Sequence, residues 1–268
     1  ANRIDPETFT AMMHHRDGNY NKWGYDNPVV NALSDAQRVE MDPNKRRKLV
    51  HEIQAAIFKD AASSPIVYPS MTNAYREDRL SGVVPQVGEG IGSLWTDLAA
   101  TVKRGDGYIR TGQTSPLKNL NPISVTDSNE FKELRMIYDR LLQVGPDGSI
   151  RPWAATSINS PNPTTVDVTI RDDMYFHNGK PVTIEDIKFT FDYHKKWKAP
   201  FFISSLEKFE SIQITGKNSL RIRLSSPHAP LMINFFAQLF ILPQHIWKDI
   251  PDKVNIDDVL NFANEKPI

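Results

Sequence analysis

The 268-residue chain contains no cysteine. Disulfide bonds and thiolate chemistry are therefore excluded, but the compartment stays open because many exported proteins also lack cysteine. An excess of either charge is lacking too, since lysine plus arginine equals aspartate plus glutamate, at 32 residues each. No overall field attracts nucleic acid or an anionic membrane, so nucleic acid is not an expected partner.

Long hydrophobic runs are also missing. The longest apolar patch, Leu231 to Leu242, is interrupted by Asn234 and Gln238, whereas a membrane-spanning helix needs about 20 apolar residues. The hydrophobic content of 40% and the aromatic content of 10% are typical of globular proteins. A chain of this length can bury a substantial core as one large domain or as two small ones.

Motifs for catalysis are scarce. No G-x-S-x-G elbow occurs, and the adjacent pair His14-His15 projects to different faces of any regular element, which favours a surface pair over a metal site. The glycines at 88, 90 and 92 lack the flanking strand and helix of a phosphate cradle and are interpreted as a loop. We therefore predict no enzymatic activity, no metal site and no cofactor. An enzyme would need His177 or His245 beside a carboxylate and a nucleophile.

The stretch Thr165 to Tyr193 carries the clearest local pattern. Val166, Val168 and Ile170 alternate with polar residues, which predicts a half-buried strand. The sequence His-Asn-Gly-Lys-Pro at 177–181 is typical of a tight turn, because glycine adopts positive φ without steric cost. We interpret the histidine of this turn as a hydrogen-bonding residue that fixes it, rather than as a ligand.

A helix is predicted directly after that turn. Thr183 and Asp186 have the spacing of a capping box, although aspartate replaces the usual glutamate or glutamine. Ile187 and Phe191 are four residues apart and therefore share one face of the helix.

Other local patterns predict further elements. Asn27-Pro28 opens a short helix predicted to run through Ala36. Asp42 precedes a proline and is a candidate N-cap, and its helix carries an apolar stripe at Leu49, Ile53 and Ile57. The remaining predictions are a solvated cationic run at 44–48, a strand at 66–68, a strand beginning at 108–111, a helix at 130–142, a turn at 145–148, and a hairpin with strands 211–214 and 220–224.

The Thr165–Tyr193 stretch also resembles the signature of the family 5 solute-binding proteins of ABC importers, which include oligopeptide, dipeptide and nickel binders. That signature is a strand ending in arginine, an aromatic residue, and then H-N-G-K-P-V-T-x-E-D, and nearly every position is met. Residues 108–268 resemble the beginning of such a protein, with Leu120-Asn121-Pro122 before the signature and Ile241 to His245 after it.

Residues 2–100 resemble the end of a family 5 protein, so the family's tail precedes its head. The tail motifs are Asp5 to Phe9 (D-P-x-T-F), Gly24 to Pro28, the start of the Asp42-Pro43 helix, and Pro65 to Tyr68. This order implies either a fragment across the junction of two fused binding proteins or a circularly permuted lobe. The implied parts are a C-terminal-type segment at 1–100, a linker at 101–107 and an N-terminal-type segment at 108–268.

The resemblance implies an α/β fold, a periplasmic-binding-protein-like (type II) lobe. It would contain a mixed sheet and a small inserted subdomain that carries the signature, and most of the second lobe would be missing. No signal peptide precedes the first residue; an exported protein would have lost it, and a shortened chain would never have carried it, so both alternatives stay open.

The resemblance also implies ligand-binding residues. In oligopeptide binders the loop after L-D-P contacts the solute, and it maps onto Thr126, Asp127 and Ser128; the alternative is an ordinary turn in which Asp127 or Ser128 caps the next helix. Family peptide binders hold the ligand's amino group with an aspartate three residues before the D-P step. This chain has Asn2 there, and a neutral amide cannot make that charge-assisted bond. Phe202 would either line a cleft or belong to the core.

A family member of this kind is the periplasmic, extracytoplasmic solute-binding component of an ABC importer. It would trap a small solute, such as a peptide, between two lobes and deliver it to ABC permease subunits without catalysing a reaction. The alternative is a docking lobe that contacts a permease without gripping solute itself. A dimer through the incomplete lobe is a variant of that alternative, because large apolar patches seek burial.

Overall fold

The structure is a computed structural model that describes residues 5–63, 66–67, 72–112, 116–254 and 258–267. Its helices are α1 (Ala11–His14), α2 (Pro28–Val39), α3 (Pro43–Lys59), α4 (Leu94–Ala99), α5 (Ser128–Leu134), α6 (Ile184–Lys196), α7 (Ile203–Leu206), α8 (Gln244–Trp247) and α9 (Ile250–Val254). Its strands are β1 (Leu80–Ser81), β2 (Thr101–Val102), β3 (Leu142–Val144), β4 (Ile150–Pro152), β5 (Ala155–Asn162), β6 (Thr165–Ile170), β7 (Phe209–Gly216) and β8 (Ser219–Leu224). A π-helical turn lies at Leu231–Phe236. Within these ranges every helix is too short or too polar to span a bilayer.

A four-stranded antiparallel sheet, in the order β5-β6-β8-β7, forms the largest sheet of the described chain. The strand predicted from alternation is confirmed as β6, and its Val166 and Val168 face Ile222 and Leu220 of β8 in the register. All four of these side chains are at most 2% exposed. Their shared face is therefore the core face, as the period-2 pattern requires. The predicted hairpin is likewise confirmed by the pairing of β7 with β8.

Helix α6 packs its apolar face onto this sheet. Ile187 and Phe191 are both fully buried, and the ring of Phe191 contacts those of Phe209 and Phe235 at centroid distances of 5.8 and 5.5 Å. Burying one phenylalanine contributes up to about 3 kcal/mol, so this aromatic cluster is a principal source of stability. The predicted helix face is confirmed.

The start of α6 follows from the residues predicted to cap it. The carboxylate of Asp186 accepts hydrogen bonds from the backbone N–H and the hydroxyl of Thr183, at 2.9 and 3.0 Å. Its second oxygen accepts from the backbone N–H of Gln244 at 2.9 Å. The shorter aspartate therefore caps the helix and also ties it to the segment that begins α8.

The two long helices of the N-terminal region are confirmed, each with its cap. Asn27 accepts from the backbone N–H of Val29 at 2.8 Å, and Asp42 accepts from those of Asn44 and Lys45 at 2.9 and 3.0 Å. The buried stripe of α3 is Val50 and Ile53, whereas the predicted members Leu49 and Ile57 are half-buried.

Arg46 departs from the predicted solvated run at 44–48. Its guanidinium binds both carboxylate oxygens of Asp5, at 2.7 and 2.8 Å, and Asp5 is only 1% exposed. The D-P motif at the start of the chain is therefore held to α3 by a buried bidentate ion pair.

The tail-type and head-type segments pack against each other. Glu7 accepts from Arg38 at 3.0 Å and from the side-chain amide of Asn234, in the π-helical turn, at 2.8 Å. Farther along, the indole N–H of Trp95 donates to the carbonyl of Val144 at 2.9 Å. Residues before the predicted linker therefore contact residues after it directly.

Three sequence predictions differ from the structure. The helix predicted over 130–142 ends at Leu134, because Leu142 pairs with Pro152 in the β3–β4 hairpin and the intervening residues form turns. Residues 108–111 lie outside the described strands, as do residues 66–67, and Tyr68 lies outside the described residues. The first two residues of the segment 101–107, whose role as a linker stays a prediction, form β2, which pairs with β1.

The α/β class is confirmed, because the described chain combines helices with sheets and α6 packs on the four-stranded sheet. The strand pairs that the structure describes are antiparallel, so the parallel part of the expected mixed sheet does not occur among them. The division into 1–100, 101–107 and 108–268 stays a prediction.

Candidate functional site

A cleft with a volume of about 740 Å³ lies between residues 73–112, most of which belong to the tail-type segment and the predicted linker, and the start of α5. Two residues of α5, Ser128 and Lys132, form one wall, and they are four apart and so share a helix face. The opposite wall comes from the β1–β2 pair and from the glycine-rich loop at 88–92. A volume in this range suits a small organic solute.

The loop at 88–92 is shaped by its glycines. Gly90 has a φ of +69°, and a Cβ atom there would lie 2.7 Å from the side chain of Asn73. The backbone N–H of Gln86 donates to the Gly90 carbonyl at 2.9 Å, which closes the turn. Sequence reasoning identified a loop here but missed that it forms a wall of the cleft.

Arg135 fastens this loop to the head-type segment. Its guanidinium pairs with Glu89 and donates to the carbonyl of Gly92 at 2.9 Å, and it lies 3.7 Å from a carboxylate oxygen of Asp97. The side chains of Arg135 and Glu89 are 6% and 8% exposed. Burial raises the pKa of Asp97, and the nearby Glu89 carboxylate raises it further, while Arg135 opposes both effects.

Most other charges at the cleft are already paired. Asp78 accepts from Arg76 at 2.8 Å through each of its oxygens and also pairs with Arg104, and these hydrogen bonds hold the pKa of Asp78 far below its usual range. Arg110 binds both oxygens of Asp106, at 3.0 and 2.5 Å.

Arg79 and Lys132 differ from these cations. Among the residues that the structure describes, no carboxylate forms an ion pair with either of them, and both line the cleft.

The predicted loop Thr126–Ser128 reaches the cleft through one residue. Thr126 and Asp127 are exposed, and Asp127 accepts from the backbone N–H of Asn129 at 2.7 Å, which is the expected N-cap of α5. Ser128 lines the cleft. Ligand contact by these three residues stays a prediction.

The remaining predicted site residues are Asn2 and Phe202. Asn2 lies outside the described residues. Phe202 is 1% exposed, and its ring contacts those of His194 and Phe235 at centroid distances of 5.7 and 5.8 Å. The structure therefore places Phe202 in the core, which is the second of the two alternatives given for it.

The histidine of the signature turn is exposed, whereas that of the N-terminal region is buried. His177 is exposed, and the hydrogen bonds of its turn are made instead by Asn178, which contacts His245 Nε2 at 2.8 Å and accepts from the Lys180 N–H at 3.3 Å. The interpretation of His177 as the fixing residue is therefore wrong. His14 is buried rather than on the surface, with Nδ1 2.5 Å from a backbone carbonyl. In the described ranges, no three His, Asp or Glu side chains come together as a metal site would require.

The family model of the bacterial extracellular solute-binding proteins, family 5 Middle, matches residues 149–268. The chain is 27% identical to the uncharacterized protein YejA of Escherichia coli (strain K12) over 146 residues, which are 53% of this chain and 24% of that protein. It is 26% identical to the nickel-binding periplasmic protein of the same organism over 147 residues, which are 53% of this chain and 26% of that protein. The chain thus spans about a quarter of the length of these two relatives.

Solved structures show similar partial matches. The oligopeptide-binding protein AppA from Bacillus subtilis, solved with a nonapeptide, is 25% identical with a TM-score of 0.46, and the match covers 49% of this chain and 26% of AppA. NikZ from Campylobacter jejuni, solved with Ni(L-His), is 19% identical with a TM-score of 0.47, and the match covers 56% of this chain and 28% of NikZ.

Proposed function

We propose that this protein is part of the solute-binding component of an ABC importer, because residues 149–268 match the family model of the bacterial extracellular solute-binding proteins, family 5 Middle. On this proposal the chain binds a solute and catalyses no reaction. The solute would be a peptide or a related small molecule, the partners would be ABC permease subunits, and the compartment would be the periplasm.

The observation that carries this proposal is the cleft of about 740 Å³. Its lining comes from residues 73–97 of the tail-type segment, from residues 102–112 and from α5 of the head-type segment. Arg135, which follows α5, binds the tail-type residues Glu89 and Gly92 across 46 and 43 residues of sequence. A cleft built by both segments supports a tail-then-head chain that closes one lobe. Ser128, a residue expected to touch solute, lies on its wall.

The affinity of this chain for a solute is expected to be low. A binding protein of two lobes surrounds its solute by hinge closure, and one lobe alone supplies about half of the contacts. We therefore expect a dissociation constant above about 1 mM, which corresponds to a binding free energy weaker than about −4 kcal/mol.

An NMR titration of the ¹⁵N-labelled chain with trialanine tests the proposal. The backbone amides of Gly88, Gly92 and Ser128 should shift together as the peptide concentration rises to about 10 mM. The variant Gly92→Leu should abolish the shifts, because a Cβ atom at position 92 would lie 3.6 Å from Lys132 Nζ and the added side chain would fill the cleft. Gln213→Leu, on an exposed position of β7, is the matched control.

Two results would contradict the proposal in different ways. Shifts confined to the four-stranded sheet, or none at all, would remove the cleft as the binding site and favour the docking lobe. Micromolar affinity in calorimetry would instead refute the view that the second lobe is needed. The docking lobe and the dimer stay predictions. Either would bury exposed apolar side chains such as Phe58, which is 86% exposed.

A further inference from the structure

The charges on the cleft wall do not cancel. Five cationic and three anionic side chains line it, namely Arg76, Arg79, Arg104, Arg110, Lys132, Glu89, Asp97 and Asp106. The cations therefore exceed the anions by two. Because the whole chain has a formal net charge of zero, this excess is a local property of the cleft.

The three carboxylates at the cleft are engaged by arginine. Glu89 pairs with the buried Arg135, Asp97 lies 3.7 Å from the same guanidinium, and Asp106 is bound through both oxygens by Arg110. An ammonium group on a solute would have to compete with an arginine for each of them. A cationic solute is therefore disfavoured.

The backbones that carry the unpaired cations Arg79 and Lys132 are held by hydrogen bonds. The backbone N–H of Arg79 donates to the Arg76 carbonyl at 2.9 Å, and its carbonyl accepts from the Lys103 N–H at 2.8 Å. Lys132 is half-buried on α5, and its ammonium lies 3.6 Å from the position that a Cβ atom on Gly92 would occupy. Both backbones are fixed by hydrogen bonds. Lys132 lowers the pKa of Asp97 and Arg79 that of Asp106 through their charges, but neither cation forms an ion pair with a described carboxylate.

We propose that the cleft selects solutes carrying an anionic group, a carboxylate or a phosphate, which Arg79 and Lys132 bind. This proposal rests on the proposed function, because it concerns the solute of the same cleft. The anion would offset the excess of positive charge that the described side chains leave on the cleft wall.

A pair of probes that differ in one charge tests the proposal. N-acetyl-dialanine has a free carboxylate, whereas N-acetyl-dialanine amide has the same shape and no charge. In an NMR titration of the full chain at 20 mM NaCl, we expect the acid to bind at the cleft about tenfold more tightly than the amide, and the difference to shrink at 500 mM NaCl. Inorganic phosphate, titrated separately, shows whether phosphate replaces the carboxylate.

The variants Arg79→Gln and Lys132→Gln should each reduce the preference for the acid severalfold. Lys217→Gln, at an exposed position in the β7–β8 turn, should leave it unchanged. Equal affinity for acid and amide, or tighter binding of the amide, would overturn this proposal while the proposed function stood. Absence of cleft shifts with acid, amide, phosphate and trialanine would instead overturn the proposed function. An unchanged circular dichroism spectrum confirms that the variants fold.

Discussion

Arg135 offers the sharpest test of how the cleft is held together. It is the buried cation between two carboxylates, and its partners Glu89, Gly92 and Asp97 all belong to the tail-type segment. Substituting Arg135→Gln would leave Glu89 buried at 8% exposure without its cation, close to the second carboxylate of Asp97. Removing one partner of a buried ion pair costs about 3–5 kcal/mol, because the remaining charge loses its compensation.

The assay is urea denaturation followed by tryptophan fluorescence. Trp95 and Trp153 lie in this region, with ring centroids 6.1 Å apart, so the signal reports on the packing of the two segments. The free energy of unfolding should fall by about 3–5 kcal/mol in Arg135→Gln. In the double variant with Glu89→Gln, about 1–3 kcal/mol should be recovered, because the buried carboxylate is gone.

The matched control is Arg221→Gln. Arg221 binds both oxygens of Asp167, at 2.6 and 2.8 Å, but these side chains are 42% and 35% exposed. Solvent screens such a pair, so this variant should unfold near the wild-type urea concentration. The reasoning would be refuted by equal losses in Arg135→Gln and Arg221→Gln, since burial would then not decide the cost.

Two further perturbations test other parts of the fold. Burial and the charges of Arg38 and Lys208 lower the pKa of His228 to about 4; in the unfolded chain a histidine has a pKa of about 6.5 and binds its proton sooner. His228 should therefore lower the free energy of unfolding by about 1.4 kcal/mol per pH unit as the pH drops from 6.5 towards 4, and His194, whose pKa burial also lowers to about 4, should add a similar slope. His228→Asn should remove about half of the combined slope in urea titrations, whereas the exposed control His51→Asn should leave it unchanged. Gly82 and Gly107 both have positive φ, at +74° and +84°, but only at Gly82 would a Cβ atom meet the backbone, 2.2 Å from the Ala99 carbonyl oxygen. We expect Gly107→Ala to cost about 1 kcal/mol and Gly82→Ala at least about 2 kcal/mol more, and similar urea midpoints for the two would contradict the steric argument.

The elements that could be predicted from the sequence are those whose cause is local. Alternation in Thr165–Ile170 and the cap between Thr183 and Asp186 involve residues a few positions apart, and both predictions are confirmed. The end of α5 could not be predicted in this way. Phe131, Leu134 and Leu141 keep helical spacing. The backbone around Leu141 nevertheless forms hydrogen bonds with residues more than ten positions later in the sequence.

The candidate site shows the same limit. The family resemblance predicts that Ser128 contacts solute. That contact stays a prediction, and Ser128 lies on the cleft wall. The charges that shape the cleft could not be inferred, because Arg135 meets Glu89 across 46 residues and Arg104 meets Asp78 across 26. Glycines at 88, 90 and 92 signalled a loop, but composition alone does not say what a loop faces.

The bond between Glu7 and Asn234 has a consequence for the synthesis of the chain. These residues are 227 positions apart, and Glu7 is 5% exposed once it is bound. At the usual 5–20 residues per second, a ribosome takes roughly 10 to 45 s to bring Asn234 out after Glu7. During that interval Glu7 can pair with Arg38, but the side-chain amide of Asn234 has not yet been synthesised. Water therefore solvates the second carboxylate oxygen of Glu7 until Asn234 is present.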